Sequence, residues 1–328
     1  MTTRRGFVLG ASAVATAWAA ALPRFAQAQA FPTKPVTLVV PFAAGGPTDQ
    51  IARTVAQKMS ASLGQPVLVD NRPGGGGQIA AALVKQAPAD GHTVFVGATE
   101  MFAINQTLFR KFAYDPVKDF RPVGALVETP MLLVVAASSP AHSVQDLLAL
   151  ARARSNGLTY ASQGLGSIGH MLGQALSQQA KVPLTHVPYK GSAPALQDLM
   201  AERVDLMFDV VMSSGPLIAG HKLKALAVAA PQRSASLPQV PTLSEAGVTG
   251  LDASVWFGAV VPAGTPDAAV AALNGAIVQA LGSADVAARF AEQGLQPKPM
   301  SASRFGDFMK SEIDRWTPMV TASGAVVD

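Results

Sequence analysis

Three features of this 328-residue chain predict an α/β fold of two lobes, each built around a mixed, mostly parallel sheet and hinged about a central cleft. Short β-branched runs alternate with segments of helical period, which implies parallel strands covered on both faces. The alternation restarts near the middle of the chain, which favours two sheets over one long one. In both halves a glycine-rich turn stands between a strand and the helix that follows it.

The elements follow in order. Residues 36–40 read as a buried strand, after which Ile51, Val55, Met59 and Ser62 recur at helical spacing. Residues 67–69 and 93–96 repeat the strand pattern, with helices between. The second series begins with a strand at 132–136 and a helix at 144–153. Strands at 158–161, 184–187, 206–208 and 224–228 follow, with a glycine turn and helix after the first of them. The chain then returns to the first lobe through a strand at 255–261 and ends in helices at 265–282, 284–294 and 303–323. In the last helix Phe305, Phe308, Met309, Ile313, Trp316 and Val320 mark one apolar face. The crossings between lobes are placed near 128–134 and 247–254, giving one lobe from 31–130 with 252–328 and another from 131–251.

The N-terminus addresses the compartment. Arg4 and Arg5 precede an uncharged stretch of Ala, Val, Leu and Gly, and Ala26, Ala28 and Ala30 alternate with glutamine, so residues 1–28 read as a cleaved export signal. Cleavage falls after Ala28 or Ala30. The paired arginines ahead of Phe7 suit twin-arginine export, with an ordinary Sec signal as the alternative. No later stretch reaches the roughly 18 apolar residues needed to span a bilayer. The net charge of +4 falls to +1 when Arg4, Arg5 and Arg24 leave, and no basic run suits nucleic acid. With no cysteine, disulfides, thiolate metal sites and a cysteine nucleophile are excluded.

The glycine turns are the candidate binding elements. Pro41 to Asp49 follows the first strand and opens the first helix, with Gly45, Gly46 and Pro47 at the turn. A helix N-terminus there offers unpaired N–H donors and a partial positive charge, which favour a carboxylate or phosphate. Ser162 to His170 repeats the arrangement in the second half, so two anion cradles would face each other across a cleft. Thr99 and Asp209, each at a strand end, should point into the same crevice.

Enzymatic readings fare worse. Gly164, Gly166 and Gly169 match the spacing of a dinucleotide fingerprint, yet the ribose-binding acid expected about 20 residues on is missing. Ser167 and His170 share one helical turn, and Leu165 stands where a nucleophile-elbow glycine belongs. The five histidines lack metal-ligand spacing. No catalytic residue, metal or cofactor is therefore assigned.

From Phe31 onward the chain resembles the Bug-type receptors of tripartite tricarboxylate transporters. The resemblance rests on the order of several segments: Pro41 to Asp49, Asn71 to Gly74, Tyr114 to Pro116, Tyr160 to Ser162, His186 to Ser192, Pro241 to Gly247 and Trp256 to Gly258. It implies a type II periplasmic-binding-protein fold and a monomeric periplasmic receptor, not an enzyme. The implied ligand is a small carboxylate: a mono- or dicarboxylate, an aromatic acid or an amino acid. The implied partners are membrane transporter subunits of the tripartite tricarboxylate type. Carried over by position, the ligand-binding residues are Phe42, Ala43, Gly46, Thr48 and Asp49 from the first lobe, and Ser162, Gly166, Ser167, His170 and Asp209 from the second. Tyr189 and Trp256 complete the set with Thr99 and Glu100.

Glu100 departs from the family pattern, in which small or neutral residues follow Thr99. Facing the cleft, it would repel a second ligand carboxylate and favour an amino group or ring nitrogen; otherwise it is a solvated residue at a helix start. Two other functions fit the same sequence: a sensor that reports binding to a membrane kinase, and a secreted hydrolase using Ser167 and His170.

Overall fold

The computed structural model describes residues 31–327; the export signal read at 1–28 and its cleavage site lie outside the described residues. In the first half, strands β1 (Val36–Val40), β2 (Val67–Asn71) and β3 (Thr93–Ala98) form a parallel set in the order β2-β1-β3. Helices α1 (Pro47–Leu63) and α2 (Gln78–Lys85) connect them. A π-helical turn, Glu100–Ile104, and the short α3 (Asn105–Leu108) follow β3.

The chain then enters β4 (Phe120–Ala136), a strand of 17 residues. Beyond it lie α4 (Val144–Ala153), β5 (Leu158–Ser162), α5 (Ile168–Ala180), β6 (Leu184–Pro188), α6 (Ser192–Met200), β7 (Leu206–Val210), α7 (Val211–Ala219) and β8 (Leu223–Ala229). Here β6-β5-β7 is the parallel set. The chain returns through β9 (Ser254–Pro262) and ends with α8 (Asp267–Leu281), α9 (Ala284–Glu292), β10 (Gln296–Pro297) and α10 (Ala302–Ser323).

β4 belongs to both half-sheets. Up to Pro130 it pairs antiparallel with β9, and β10 lies on its other side; from Met131 it pairs with β7 and β8. The restart in the sequence pattern thus reflects a change of partners along one continuous strand. Its first part breaks the alternation expected of a strand, because Pro122, Gly124, Glu128 and Pro130 fall within it.

The register fixes where the strands point. The β3 terminus Ala98 pairs with Phe257, which pairs with Val127, three residues before the change of partners. Val210, the last residue of β7, pairs with Met131, the first residue beyond it. Both parallel sets therefore direct their carboxyl ends at the same crossover, the switch-point position at which open α/β sheets bind ligands.

Packing below this point is dense. Trp256 is fully buried, lies against Phe102 with ring centroids 5.7 Å apart, and donates its Nε1–H to Glu312 at 2.9 Å. Glu312 of α10 also accepts from Trp316 Nε1 at 3.1 Å. One buried carboxylate thereby satisfies two indole donors that would otherwise be orphaned in the core.

Candidate functional site

The loop from Pro41 to Asp49 is shaped by Asp49. Burial by itself would raise the pKa of this carboxylate, but hydrogen bonds from Arg53, Gly45 and Asn71 outweigh it and hold the group below the usual range. Oδ2 accepts from Gly45 N–H at 2.9 Å and Arg53 Nε at 3.0 Å; Oδ1 accepts from Asn71 Nδ2 at 3.0 Å. Asn71 also donates to the Phe42 carbonyl at 3.0 Å. Gly45 turns the chain with φ of 85°, a left-handed conformation that glycine adopts without strain. Gly46 is the α1 N-cap and supplies no side-chain oxygen to the first-turn donors.

The result is an exposed rim whose amides are left for something else. Phe42, Ala43 and Ala44 are exposed, and among the described residues their N–H groups have no protein acceptor. They sit at the positive end of a 17-residue helix, an arrangement that favours an anion. Thr48 and Asp49 are buried, and Asp49 holds the turn in place through its bond from Gly45 N–H.

The loop after β5 has the same outline and the opposite bookkeeping. The Ser162 hydroxyl donates to Gly164 O at 2.9 Å, accepts from Gly164 N–H at 3.1 Å and shares a 2.7 Å bond with His186 Nε2. Ser167 caps α5 by accepting from His170 N–H and donates its hydroxyl to Gly164 O at 2.8 Å. Gly166 N–H donates to His170 Nδ1 at 3.1 Å. Gly166 has φ of 76°, and a Cβ there would come within 1.9 Å of Leu108 Cδ2.

The His170 ring stacks on His186 with centroids 3.9 Å apart. Burial lowers the pKa of both; for His186, at about 4, the neighbouring His170 adds to the effect. The two rings are thus a neutral stacked pair above pH 6.5. Ser167 reaches the backbone of His170 and not its ring. Among the described residues no group of three or more His, Asp or Glu side chains could hold a metal ion.

Asp209 holds this second loop from beneath. Fully buried, it accepts from Gln163 Nε2 at 2.9 Å, Ser192 Oγ at 2.6 Å and Ser214 Oγ at 2.7 Å. Three separate elements converge on it, and burial pushes its pKa up despite these bonds. Thr99 is also fully buried; its hydroxyl accepts from Trp256 N–H at 2.9 Å and ties the end of β3 to β9. Tyr189 donates to Asp198 of α6 at 2.7 Å, and Trp256 lies in the core. Thr48, Asp49, Thr99, Asp209 and Trp256 are thus buried; Asp49 and Asp209 fix the two loops, and Thr99 joins β3 to β9. Phe42, Ala43, Gly46 and Glu100 are at least part-exposed at the strand ends.

Sequence reasoning did not single out Asn71, Gln163, Ser192 or Ser214. Asn71 opens a segment that supported the resemblance, and His186 and Ser192 bound another, which was the available signal. Glu100 is partly exposed by area, yet its Oε2 is buried and has no hydrogen-bond partner. Burial raises its pKa, while its own N–H and that of Ile168, the first residue of α5, favour the anion.

A separate cavity of about 530 Å³ opens beside α5, between Tyr160, His170 and His186 on one side and Val326 on the other. Neither Glu100 nor any residue of 41–49 lines it, so it is not the space between the two loops. His170 faces this cavity. Among the described residues no single helix is long and apolar enough to cross a membrane.

Comparison with known proteins agrees with this architecture. The profile of the tripartite tricarboxylate transporter family receptor matches residues 51–325. Protein BugT of Bordetella pertussis is 34% identical, the match covering 91% of this chain and 92% of BugT. Among solved structures, Rpa4515 of R. palustris with adipate superposes with a TM-score of 0.86 at 40% identity, over 90% of this chain and 99% of that one. MatC of Rhodopseudomonas palustris with bound malate gives 0.82 at 38% identity, over 88% and 100%.

Proposed function

Because this chain belongs to the tripartite tricarboxylate transporter receptor family, we propose that it captures a small carboxylate by lobe closure and hands it to a membrane transporter of that type. The observation that carries the reading is the exposed rim at Phe42, Ala43 and Ala44, next to a helix N-terminus, whose amides have no protein acceptor among the described residues. The relatives with adipate and malate support a carboxylate as the class of ligand. Backbone donors recognise any carboxylate, so selectivity has to come from side chains at the far end of the cleft.

In this reading the lobes comprise residues 31–130 with 252–328 and residues 131–251, and the hinge lies where β4 changes partners. The first lobe's amides engage the carboxylate, and rotation about the hinge brings the second loop over it and excludes water. The receptor acts as a monomer in the periplasm after twin-arginine or Sec export. It needs no cofactor, and the family's role as solute-binding receptors supports binding without turnover.

The test is a thermal-shift screen of the mature protein against mono-, di- and tricarboxylates, aromatic acids and amino acids. A ligand present at 100 times its dissociation constant stabilises the fold by about 2.7 kcal/mol, a readily measured shift. A shift with one class of carboxylate, accompanied by a smaller radius of gyration in solution scattering, is expected. Absence of any shift, with no acid retained on the purified protein by native mass spectrometry, would overturn the reading.

A further inference from the structure

Glu100 follows the end of β3, at the crossover toward which both parallel sets of strands point. It opens a π-helical turn whose other residues, Met101 to Ile104, are all buried, and Tyr114 Oη–H donates to the Met101 carbonyl at 2.7 Å. Thr99, just before it, is locked to β9. The backbone that carries Glu100 is thus fixed from both sides. The N–H of Ile168, at the N-terminus of the 13-residue helix α5 in the opposite half-sheet, favours its anion.

Two observations make this more than a helix-end contact. The first is that other donors of the second loop are consumed internally: Gly164, Gly166, Ser167 and His170 N–H groups all have partners within the loop. The second is that Oε2 is buried without a hydrogen-bond partner. Among the described residues no ion pair is made by Glu100. A buried acceptor left short of a donor costs free energy that a ligand can recover by supplying one.

We propose that Glu100 is a specificity-determining residue: it fills the α5 anion position itself, so the preferred ligand presents one carboxylate to the 42–44 rim and an ammonium or N–H group to Glu100. Dicarboxylates, which would set a second anion against Glu100, are disfavoured. This inference rests on the carboxylate-receptor reading and names the ligand class for it.

The experiment compares matched pairs by calorimetry and thermal shift: succinate with β-alanine, glutarate with γ-aminobutyrate, adipate with δ-aminovalerate. The wider acid panel follows, on the wild-type protein, Glu100→Gln and Glu100→Ser. Wild type is expected to bind an amine- or N–H-bearing acid at least about tenfold more tightly than the diacid of the same skeleton, the ratio of one unfavourable charge contact. Both variants should lose that preference. The Ser variant guards against the Gln amide standing in for the carboxylate, and melting curves verify that each protein is folded. A diacid bound as well as its amino partner, or a preference that survives in both variants, overturns the inference while leaving the receptor reading intact. No response of any protein to any acid overturns both.

Discussion

After β1 and after β5 the chain follows the same plan: a strand ends, glycines turn the backbone and a helix begins, both at the point where β4 changes partners. In the first loop a buried aspartate and an asparagine tie the turn together, and the amides of the exposed Phe42, Ala43 and Ala44 have no protein acceptor among the described residues. In the second, Ser162, Ser167 and His170 occupy the donors, and the N–H of Ile168 favours the anion of Glu100 from the other half-sheet. A strand–glycine–helix motif therefore states where an anion could bind, and the side chains around it decide whether the place is free. One loop leaves backbone donors without a protein acceptor among the described residues, and the other is largely self-satisfied.

The strongest way to break this comparison is to remove the support of the second loop. Asp209→Ala should destabilise the protein by about 3 kcal/mol, because it strands Gln163, Ser192 and Ser214 in a buried site. Urea unfolding measures this, and a loss below about 1 kcal/mol would show that the loop does not depend on the network. Gly166→Ala follows at about 2 kcal/mol, from a left-handed backbone and the clash with Leu108. The double variant with Leu108→Ala should relieve the clash but not the backbone strain, so the two losses should be clearly non-additive.

On the first loop, Asp49→Asn should cost about 1 kcal/mol and weaken carboxylate binding about tenfold by releasing Gly45 and Arg53 from the turn. The folded-state pKa of Asp49 is lowered, so its stabilisation is present above the ordinary aspartate value and fades as pH falls through the folded one. The stability gap between wild type and variant, followed by thermal melts from pH 7 downward, should close at the acid end. A gap independent of pH would mean that the charge is not what organises the loop.

Both loops were legible in the sequence because proline, glycine and the abrupt change from strand to helix period mark them. Their inequality was not. Asp49 and Asp209 read alike, as acids at element ends, and what distinguishes a wall from its support is the set of partners that folding brings from elsewhere: Asn71 from β2, Ser192 from α6, Ser214 from α7. Trp256 entered the ligand set through the resemblance. Its burial follows from Glu312, 56 residues away, and from Phe102, which no local pattern announces. The first part of β4 was missed for a related reason: packed against α8 and α10, it is buried along most of its length, so polarity does not alternate. Glu100 stood out only as a departure from the family pattern, and its orientation toward α5 depends on the crossing of the two half-sheets.

The smallest expected effect is also the sharpest test of that asymmetry. Burial raises the pKa of Glu100, so the folded protein keeps its proton to higher pH than the unfolded chain, whose ordinary value is 4.5. As pH rises above that value the unfolded state gains relative stability, until the folded pKa is passed and the penalty becomes constant. Glu100→Gln removes the penalty, so the ligand-free variant should be the more stable protein at pH 8, by about 1 kcal/mol, the scale of one buried polar group short of a partner. The advantage should shrink to nothing below the ordinary glutamate range, where wild type is protonated in both states. Asp209 titrates in the same direction but is common to both proteins, so the difference between their melting curves isolates Glu100. A variant that is less stable than wild type at every pH would mean that the carboxylate strengthens the empty protein, and that the α5 N-terminus needs Glu100 for folding instead of ligand choice. A variant that is more stable when empty and less selective when loaded would identify Glu100 as strain kept for function.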